Sequence, residues 1–352
     1  MQRLNPSETL GASASAGQSA GKQTGKPAGK PAAKPAKPAN SGRSGNPAKR
    51  NGAEAHGRSG PATAGDWISG ARLRTLPLAI APVALGTGAA IVASDPGVFH
   101  PVRAVLALIV ALCLQIGVNY ANDYSDGIRG TDAYRVGPAR LTGGGAARPR
   151  SVLTVALAFF GLAALAGLVL VVLSGQWWLL LVGAAAIVAA WFYTGGKRPY
   201  GYFGLGELFV FVFFGLVATA GTTFVQVGTV NLESWLGGVA IGLIACAVLM
   251  VNNLRDIVPD KASGKRTLAV LIGNLPGRIV FCVLLLVPFL IAAFFALFYP
   301  LAWFVLFVLL LALPACLITV TAKTAAELIL ALKLTSFSAL LYGLLLGAAF
   351  AF

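Results

Sequence analysis

Val118-Asn119-Tyr-Ala-Asn122-Asp123-Tyr-Ser-Asp126 closes an apolar run that begins near residue 102. Val251-Asn252-Asn-Leu-Arg255-Asp256-Ile-Val-Pro-Asp260 closes another that begins near residue 235. Both stretches open on Val-Asn, and both place an aspartate four residues after that asparagine. The apolar runs point to a bilayer, where a nearby carboxylate is costly unless a cation or a buried partner stabilises it. Two such clusters, each trailed by Arg and Lys, point to divalent cations holding a phosphorylated ligand at a membrane surface.

The composition agrees. The chain is 57% hydrophobic and only 11% charged, with a mean hydropathy of +0.78, against about a quarter charged residues in a soluble domain. Nine stretches are apolar and long enough to cross a bilayer, which takes about 20 residues each. They fall near 76–94, 102–122, 152–173, 177–194, 205–226, 235–253, 277–298, 300–321 and 334–351. The expected fold class is therefore all-α, a polytopic bundle of nine transmembrane helices.

Charge divides the connections into two sets. The 123–151 loop carries Arg129, Arg135, Arg140, Arg148 and Arg150; the 195–204 loop carries Lys197 and Arg198. The 254–276 loop carries Arg255, Lys261, Lys265 and Arg266, and the 322–333 loop carries Lys323 and Lys333. The alternate connections, around 95–101, 174–176, 227–234 and 299, hold no Lys or Arg. That alternation predicts a cytoplasmic N-terminus and puts every acidic motif on the cytoplasmic side. A transporter more often places its coupled polar residues at the bilayer midplane. Positive-inside bias alone accounts for Arg148, Arg150, Lys323 and Lys333, while Arg135 and Arg140 stay open to either role.

The formal net charge of +15 is not one patch. Residues 1–65 hold ten Lys/Arg against Glu8 and Glu54, which is +8; the remainder holds seventeen against ten, which is +7. The 1–65 segment is low-complexity Gly/Ala/Ser/Pro/Lys without apolar residues for a core, so a disordered tail is expected before a membrane domain at 66–352. It has no apolar stretch of the secretory-signal kind. No nucleic acid partner is expected for the membrane domain.

Other chemistries are excluded. Cys113, Cys246, Cys282 and Cys316 lie inside apolar stretches with no Cys-x-x-Cys spacing, and read as small buried hydrophobes. His56 and His100 are far from the polar motifs, which rules out histidine-based zinc sites and a Ser-His-Asp triad. Trp177, Trp178, Trp235 and Trp303 fall near span ends away from the motifs, as an aromatic belt predicts. Gln226 falls near the same face and reads as interfacial, and Glu207, at the start of the fifth span, suits either a helix N-terminus or catalysis.

On a helix, Asn119, Asn122, Asp123 and Asp126 lie three or four residues apart and share a face; Asn252, Asp256 and Asp260 do the same on a second helix. Oxygen-only clusters of carboxylate and amide suit Mg²⁺, which takes a few carboxylates plus substrate phosphate oxygens. Two clusters facing each other suit a diphosphate clamped between them, and such a clamp stabilises charge on a departing diphosphate. Capping or turn chemistry explains one such Asn-Asp pair, but not two matched clusters on one side of a membrane.

With those residues in view, the chain resembles the intramembrane aromatic prenyltransferase superfamily. Within it, the chain is most similar to the 1,4-dihydroxy-2-naphthoate polyprenyltransferases of menaquinone synthesis. The resemblance spans about 66–352 and is carried by Asn122-Asp-Tyr-Ser-Asp-Gly-Ile-Arg-Gly-Thr-Asp132, Arg135-Val-Gly-Pro and Tyr193-Thr-Gly-Gly-Lys-Arg-Pro-Tyr-Gly-Tyr202. Gly204-Leu-Gly-Glu207, Gly264-Lys-Arg-Thr-Leu-Ala269 and Arg72-Leu-Arg74-Thr-Leu-Pro77 add to it. The superfamily often has a third aspartate four residues after the second; here Gly130 stands there and the acid is Asp132.

The resemblance implies a bacterial cell-membrane enzyme that moves a polyprenyl chain from polyprenyl diphosphate to 1,4-dihydroxy-2-naphthoate, releasing CO₂ and diphosphate and giving demethylmenaquinone. It implies Mg²⁺ held by Asn119, Asn122, Asp123, Asp126, Asp132, Asp256 and Asp260, with the aspartates 123, 126, 256 and 260 as the catalytic set. Arg74, Asn119, Lys197, Arg198, Lys265 and Arg266 would bind diphosphate or the aromatic carboxylate, and Tyr193 would orient the ring or shield a cation. Another acceptor (4-hydroxybenzoate, a porphyrin or a sugar phosphate) stays open, as does an isoprenoid-binding or transport protein without catalysis.

Overall fold

A computed structural model describes residues 61–94, 99–131 and 140–352. Asp132, Arg135 and residues 1–60 of the expected tail lie outside the described residues. Among the described residues all regular structure is helical. A short α1 (Ala64–Gly70) precedes α2 (Pro77–Ala93), α3 (Pro101–Arg129), α4 (Pro149–Ser174) and α5 (Leu179–Phe192). Then come α6 (Gly206–Val227), α7 (Leu232–Arg255), the short α8 (Ile257–Ala262) and α9 (Leu268–Ile272), and finally α10 (Asn274–Phe295), α11 (Pro300–Thr321) and α12 (Ala325–Ala351). The protein is a polytopic membrane bundle.

Each of the nine expected spans is helical, but they are not equivalent. Seven are long and apolar enough to cross a membrane alone. Helix α2 has 17 residues and continues the 64–75 segment only through a 46° bend. Helix α5 has 14 residues, about 21 Å at 1.5 Å per residue, well short of a hydrocarbon core of about 30 Å.

The ends also move. Helix α3 continues past residue 122 to Arg129, because nothing stops it before Gly130, whose φ of 71° is left-handed. That conformation suits glycine, and the Gly130 N–H returns to the Asp126 and Gly127 carbonyls as a C-terminal cap. The residue that breaks the superfamily spacing is thus the one that ends the helix. Helix α12 starts at Ala325 rather than near 334, its first turn capped by Thr324 on the Glu327 N–H, so Glu327 and Lys333 are helical and not in a loop.

Packing puts α7 at the centre: 72% of its apolar window is buried, against 17–50% for the other six long spans. Helix α12 packs on α2, α7 and α11, and α3 pairs with α4. Small residues allow the closest crossing. A Cβ added at Gly347 would lie 2.6 Å from the Ala84 carbonyl oxygen, and one added at Gly343 2.5 Å from that of Ala81. Such backbone proximity is a usual means of association where lipid replaces water. The outer faces of α5, α10 and α11 leave Leu181, Leu290, Leu310 and Leu317 largely exposed, as lipid contact requires.

At the end away from the acidic motifs, the four belt tryptophans are about half exposed. Gln226 is not interfacial: it is 2% exposed and its amide donates to the Thr87 hydroxyl between α6 and α2. Arg103 lies at this end as well. Its guanidinium donates to the Val225 and Gln226 carbonyls, both at 3.1 Å, and to that of Leu173 at 2.6 Å. The negative C-terminal ends of α6 and α4 thereby hold its charge.

Candidate active site

The last three turns of α3 present Asn119, Asn122, Asp123 and Asp126 as one polar stripe, each under 9% exposed. Asp123 turns toward the loop before α4 and accepts the Leu141 N–H at 2.9 Å and the Thr142 N–H at 2.8 Å. Asn119 donates to the Ala71 carbonyl at 3.0 Å, tying α3 to the α1–α2 corner. Asn122 accepts the Thr194 hydroxyl at 2.6 Å, and Arg129 donates to the Thr194 and Gly196 carbonyls. These bonds draw the 140–148 and 193–205 loops over the end of α3.

Asp126 lies where the loops converge. It accepts from Arg140 at 3.2 Å, from the Tyr202 hydroxyl at 2.5 Å and from Lys265 at 3.2 Å. The Lys265 ammonium is also 3.9 Å from an Asp260 oxygen, so it sits between a carboxylate of the first cluster and one of the second. The Tyr202 ring lies beneath two cations, Lys265 at 4.7 Å and Arg129 at 5.4 Å from its centre. Burial first, and then the Asp126 charge, raise the Tyr202 hydroxyl above its usual range, so it stays a donor.

The second cluster is not one helix face. Helix α7 ends at Arg255 and α8 starts at Ile257, with Asp256 in the break. Pro259 has no N–H for the Arg255 carbonyl, so the helix cannot run through. Asp256 accepts two bonds from the buried Arg255 guanidinium, at 2.8 and 2.5 Å. The turn of α8 offers Asp260 separately, toward Lys265.

Below this polar end is a cavity of about 520 Å³. Arg72, Arg74, Gln115, Asn119, Asn122 and Asn252 stand on its wall with Tyr193. Its remaining lining is mostly aliphatic and aromatic and comes from α2 to α7. On α3 the lining extends from Ala107 to Asn122, about 22 Å of helix. The wall of α6 contains a π-helical stretch, Phe211–Val217, of the kind that often marks functional sites. Tyr193 caps α5, edge-on to Tyr200.

Among the expected site residues, Asp126, Asp260 and Lys265 come together directly, and Arg74, Asn119, Asn122 and Tyr193 line the cavity. Lys197, Arg198 and Arg266 are exposed, and the described contacts of Arg266 with the site are made through its backbone N–H to Tyr202. Glu207 is in the first turn of α6, buried, and accepts from Asn253 at 3.1 Å rather than lining the cavity. No three His, Cys, Asp or Glu side chains form a closed metal cage among the described residues.

Sequence reasoning did not single out Tyr202, Arg129, Thr194 or Gln115, and left Arg140 undecided. Gln115 was findable: with Asn119, Asn122 and Asp126 it continues one polar stripe along an apolar helix at intervals of three or four. The others come from separate loops, which no periodicity links to α3.

Comparison with known proteins gives the family and the fold. The model of the UbiA prenyltransferase family matches residues 79–337. A 1,4-dihydroxy-2-naphthoate octaprenyltransferase from Mycobacterium tuberculosis is 48% identical over 303 residues, covering 81% of this chain and 97% of that one. Among solved structures, the apo form of a UbiA homologue from Aeropyrum pernix K1 overlays with a TM-score of 0.59 at 16% identity, covering 78% of this chain and 96% of that one. A UbiA homologue from Archaeoglobus fulgidus bound to GPP and Mg²⁺ overlays with a TM-score of 0.54 at 14% identity, covering 78% and 99%. The match over most of the membrane bundle, together with the acidic end above an apolar cavity, makes this chain a member of the UbiA prenyltransferase family.

Proposed function

We infer that the protein transfers a polyprenyl chain from polyprenyl diphosphate to 1,4-dihydroxy-2-naphthoate. The observation that carries this reading is a cluster of acids and bases, Asp126, Asp260, Lys265 and Arg140, one helical turn beyond the Asn119–Asn122 end of a long apolar cavity. The similarity to dihydroxynaphthoate octaprenyltransferases supports the acceptor. The C–O bond to diphosphate breaks, leaving an allylic cation, and the ring carbon bearing the carboxylate attacks it. That carboxylate then leaves as CO₂, which restores the aromatic ring and gives demethylmenaquinol, the hydroquinone of demethylmenaquinone.

The residues present fit a divalent cation. Asp126 and Asp260 already share one cation of the chain itself, the Lys265 ammonium, and a Mg²⁺ site of one or two carboxylates completed by substrate phosphate needs no protein cage. Asp126 and Asp260 would hold the ion with Asn119, Asn122, Asp123 and Asp256 around them; a homologue solved with GPP and Mg²⁺ supports this. When bound, Mg²⁺ neutralises charge on the departing diphosphate. Lys265 and Arg140 add positive charge on the same face, and the apolar wall keeps water from the cation. Arg74 stands at the cavity wall, suited to a planar carboxylate. The acidic end faces the cytoplasm on this reading.

The test is prenyl transfer in membranes holding the full chain, with Mg²⁺, a polyprenyl diphosphate and carboxyl-labelled 1,4-dihydroxy-2-naphthoate. Label is expected to be lost one-for-one with lipid product, and Asp126→Asn or Asp260→Asn to lower the rate at least a hundredfold, about 2.7 kcal/mol of barrier. Transfer to 4-hydroxybenzoate alone would replace the acceptor. No diphosphate release with any acceptor would replace catalysis with binding or transport.

A further inference from the structure

Gln115 is 6% exposed and sits on the cavity wall one helical turn from Asn119 toward the apolar interior. Its amide nitrogen donates to the Thr75 hydroxyl oxygen at 3.0 Å, and among the described residues no donor reaches its carbonyl oxygen, which is buried. The orientation of the amide follows from Thr75. That hydroxyl has one proton and donates it to the Arg72 carbonyl at 2.9 Å, so toward Gln115 it can only accept. Gln115 must therefore turn its nitrogen to Thr75 and keep its oxygen as the spare acceptor. A buried acceptor without a donor is disfavoured, and buried polar atoms are nearly always matched.

The reactants differ in what they offer such an acceptor. An ionised polyprenyl diphosphate carries acceptors and hydrocarbon, and so does a carboxylate. The donors are the phenolic hydroxyls of the aromatic acceptor. We propose that Gln115, held by Thr75, accepts a hydrogen bond from a ring hydroxyl of the dihydroxynaphthoate and is a specificity-determining residue for the hydroquinone. This places the ring at the boundary between the polar end and the apolar cavity, where Tyr193 also lines the wall. A site built to bond a hydroxyl rejects analogues lacking it far more strongly than an apolar pocket would. The proposal rests on the naphthoate reading above.

The experiment compares wild-type protein, Gln115→Leu and Thr75→Val in membranes, using analogues of the acceptor that lack the 1-hydroxyl or the 4-hydroxyl as competitive inhibitors of transfer. For wild type, removing one of the two hydroxyls is expected to weaken inhibition about tenfold or more. In Gln115→Leu that ratio should collapse toward one, while KM for the polyprenyl diphosphate stays within about twofold. Thr75→Val, which frees the amide to rotate, should lower the ratio by a smaller factor, and it carries the test alone where Gln115→Leu yields no folded protein. An unchanged hydroxyl ratio in both variants, or in Thr75→Val alone if only that one folds, overturns the proposal. Failure of the parent reading is separately visible, as wild-type protein that makes no product from dihydroxynaphthoate, and overturns this inference too.

Discussion

Tyr202 does two things at once, donating to Asp126 and lying under the Lys265 and Arg129 charges. Tyr202→Phe keeps the ring and removes the hydroxyl, leaving Asp126 with its two cationic partners. A hydrogen bond to a charged group is worth about 1.5–3 kcal/mol, so kcat/KM for the diphosphate should fall about tenfold or more in steady-state transfer assays. Because the hydroxyl is raised, its proton is lost from the unfolded chain before the folded one. Its contribution to stability is thus intact below the ordinary phenol range near pH 10 and declines above it. The alkaline limb of the pH–rate profile should keep its position in Tyr202→Phe; a shift would mean that Tyr202 itself titrates in catalysis. At this scale the acids were legible because they are charged groups beside apolar runs. Their pairing was not, since Arg140, Tyr202 and Lys265 reach Asp126 across 14, 76 and 139 residues of chain; of the three, only Lys265 was expected at the site, through the resemblance.

Helices were legible by hydropathy, and their ends only in part. Gly130 and Pro259 are ordinary punctuation in a sequence, yet one ends α3 beyond the acidic stripe and the other divides the second motif between two helices. That division lets Asp256 stay with Arg255 while Asp260 turns to Lys265. The α2–α12 crossing was not anticipated, although Gly343 and Gly347, four residues apart on one face of an apolar helix, have the small-xxx-small spacing that lets helix backbones approach in lipid. It yields a direct prediction. Gly347→Leu drives a side chain into the Ala84 backbone, whereas Gly161 on α4 has open space around its Cβ position. Overpacking costs about 1–3 kcal/mol, so Gly347→Leu should lower the melting temperature in detergent by several degrees, with Gly161→Leu close to wild type. Equal melting of both variants would remove the crossing as a determinant of stability.

For the molecule as a whole, alternating basic connections were enough to place all the acidic motifs at one end, and the folded bundle has them at one end. What the alternation missed is Arg103, at the other end, where helix C-termini neutralise it. It therefore does not count against an inward-facing basic side, since three carbonyls already hold its charge. The orientation itself is open to a labelling experiment. The native cysteines are buried or half-buried within the spans and give little background. Thr229, at the Arg103 end, and Lys261 and Lys323, at the acidic end, are exposed. With a membrane-impermeant maleimide, Thr229→Cys should label in intact cells, and Lys261→Cys and Lys323→Cys only in inverted vesicles. The reverse pattern would place the acidic end outside, away from cytoplasmic diphosphate. Labelling of Lys261→Cys and Lys323→Cys from opposite sides would mean that α10 and α11 do not both cross, which would undo the nine-span topology while leaving the site intact, since α3, α7 and the loops around Lys265 build it.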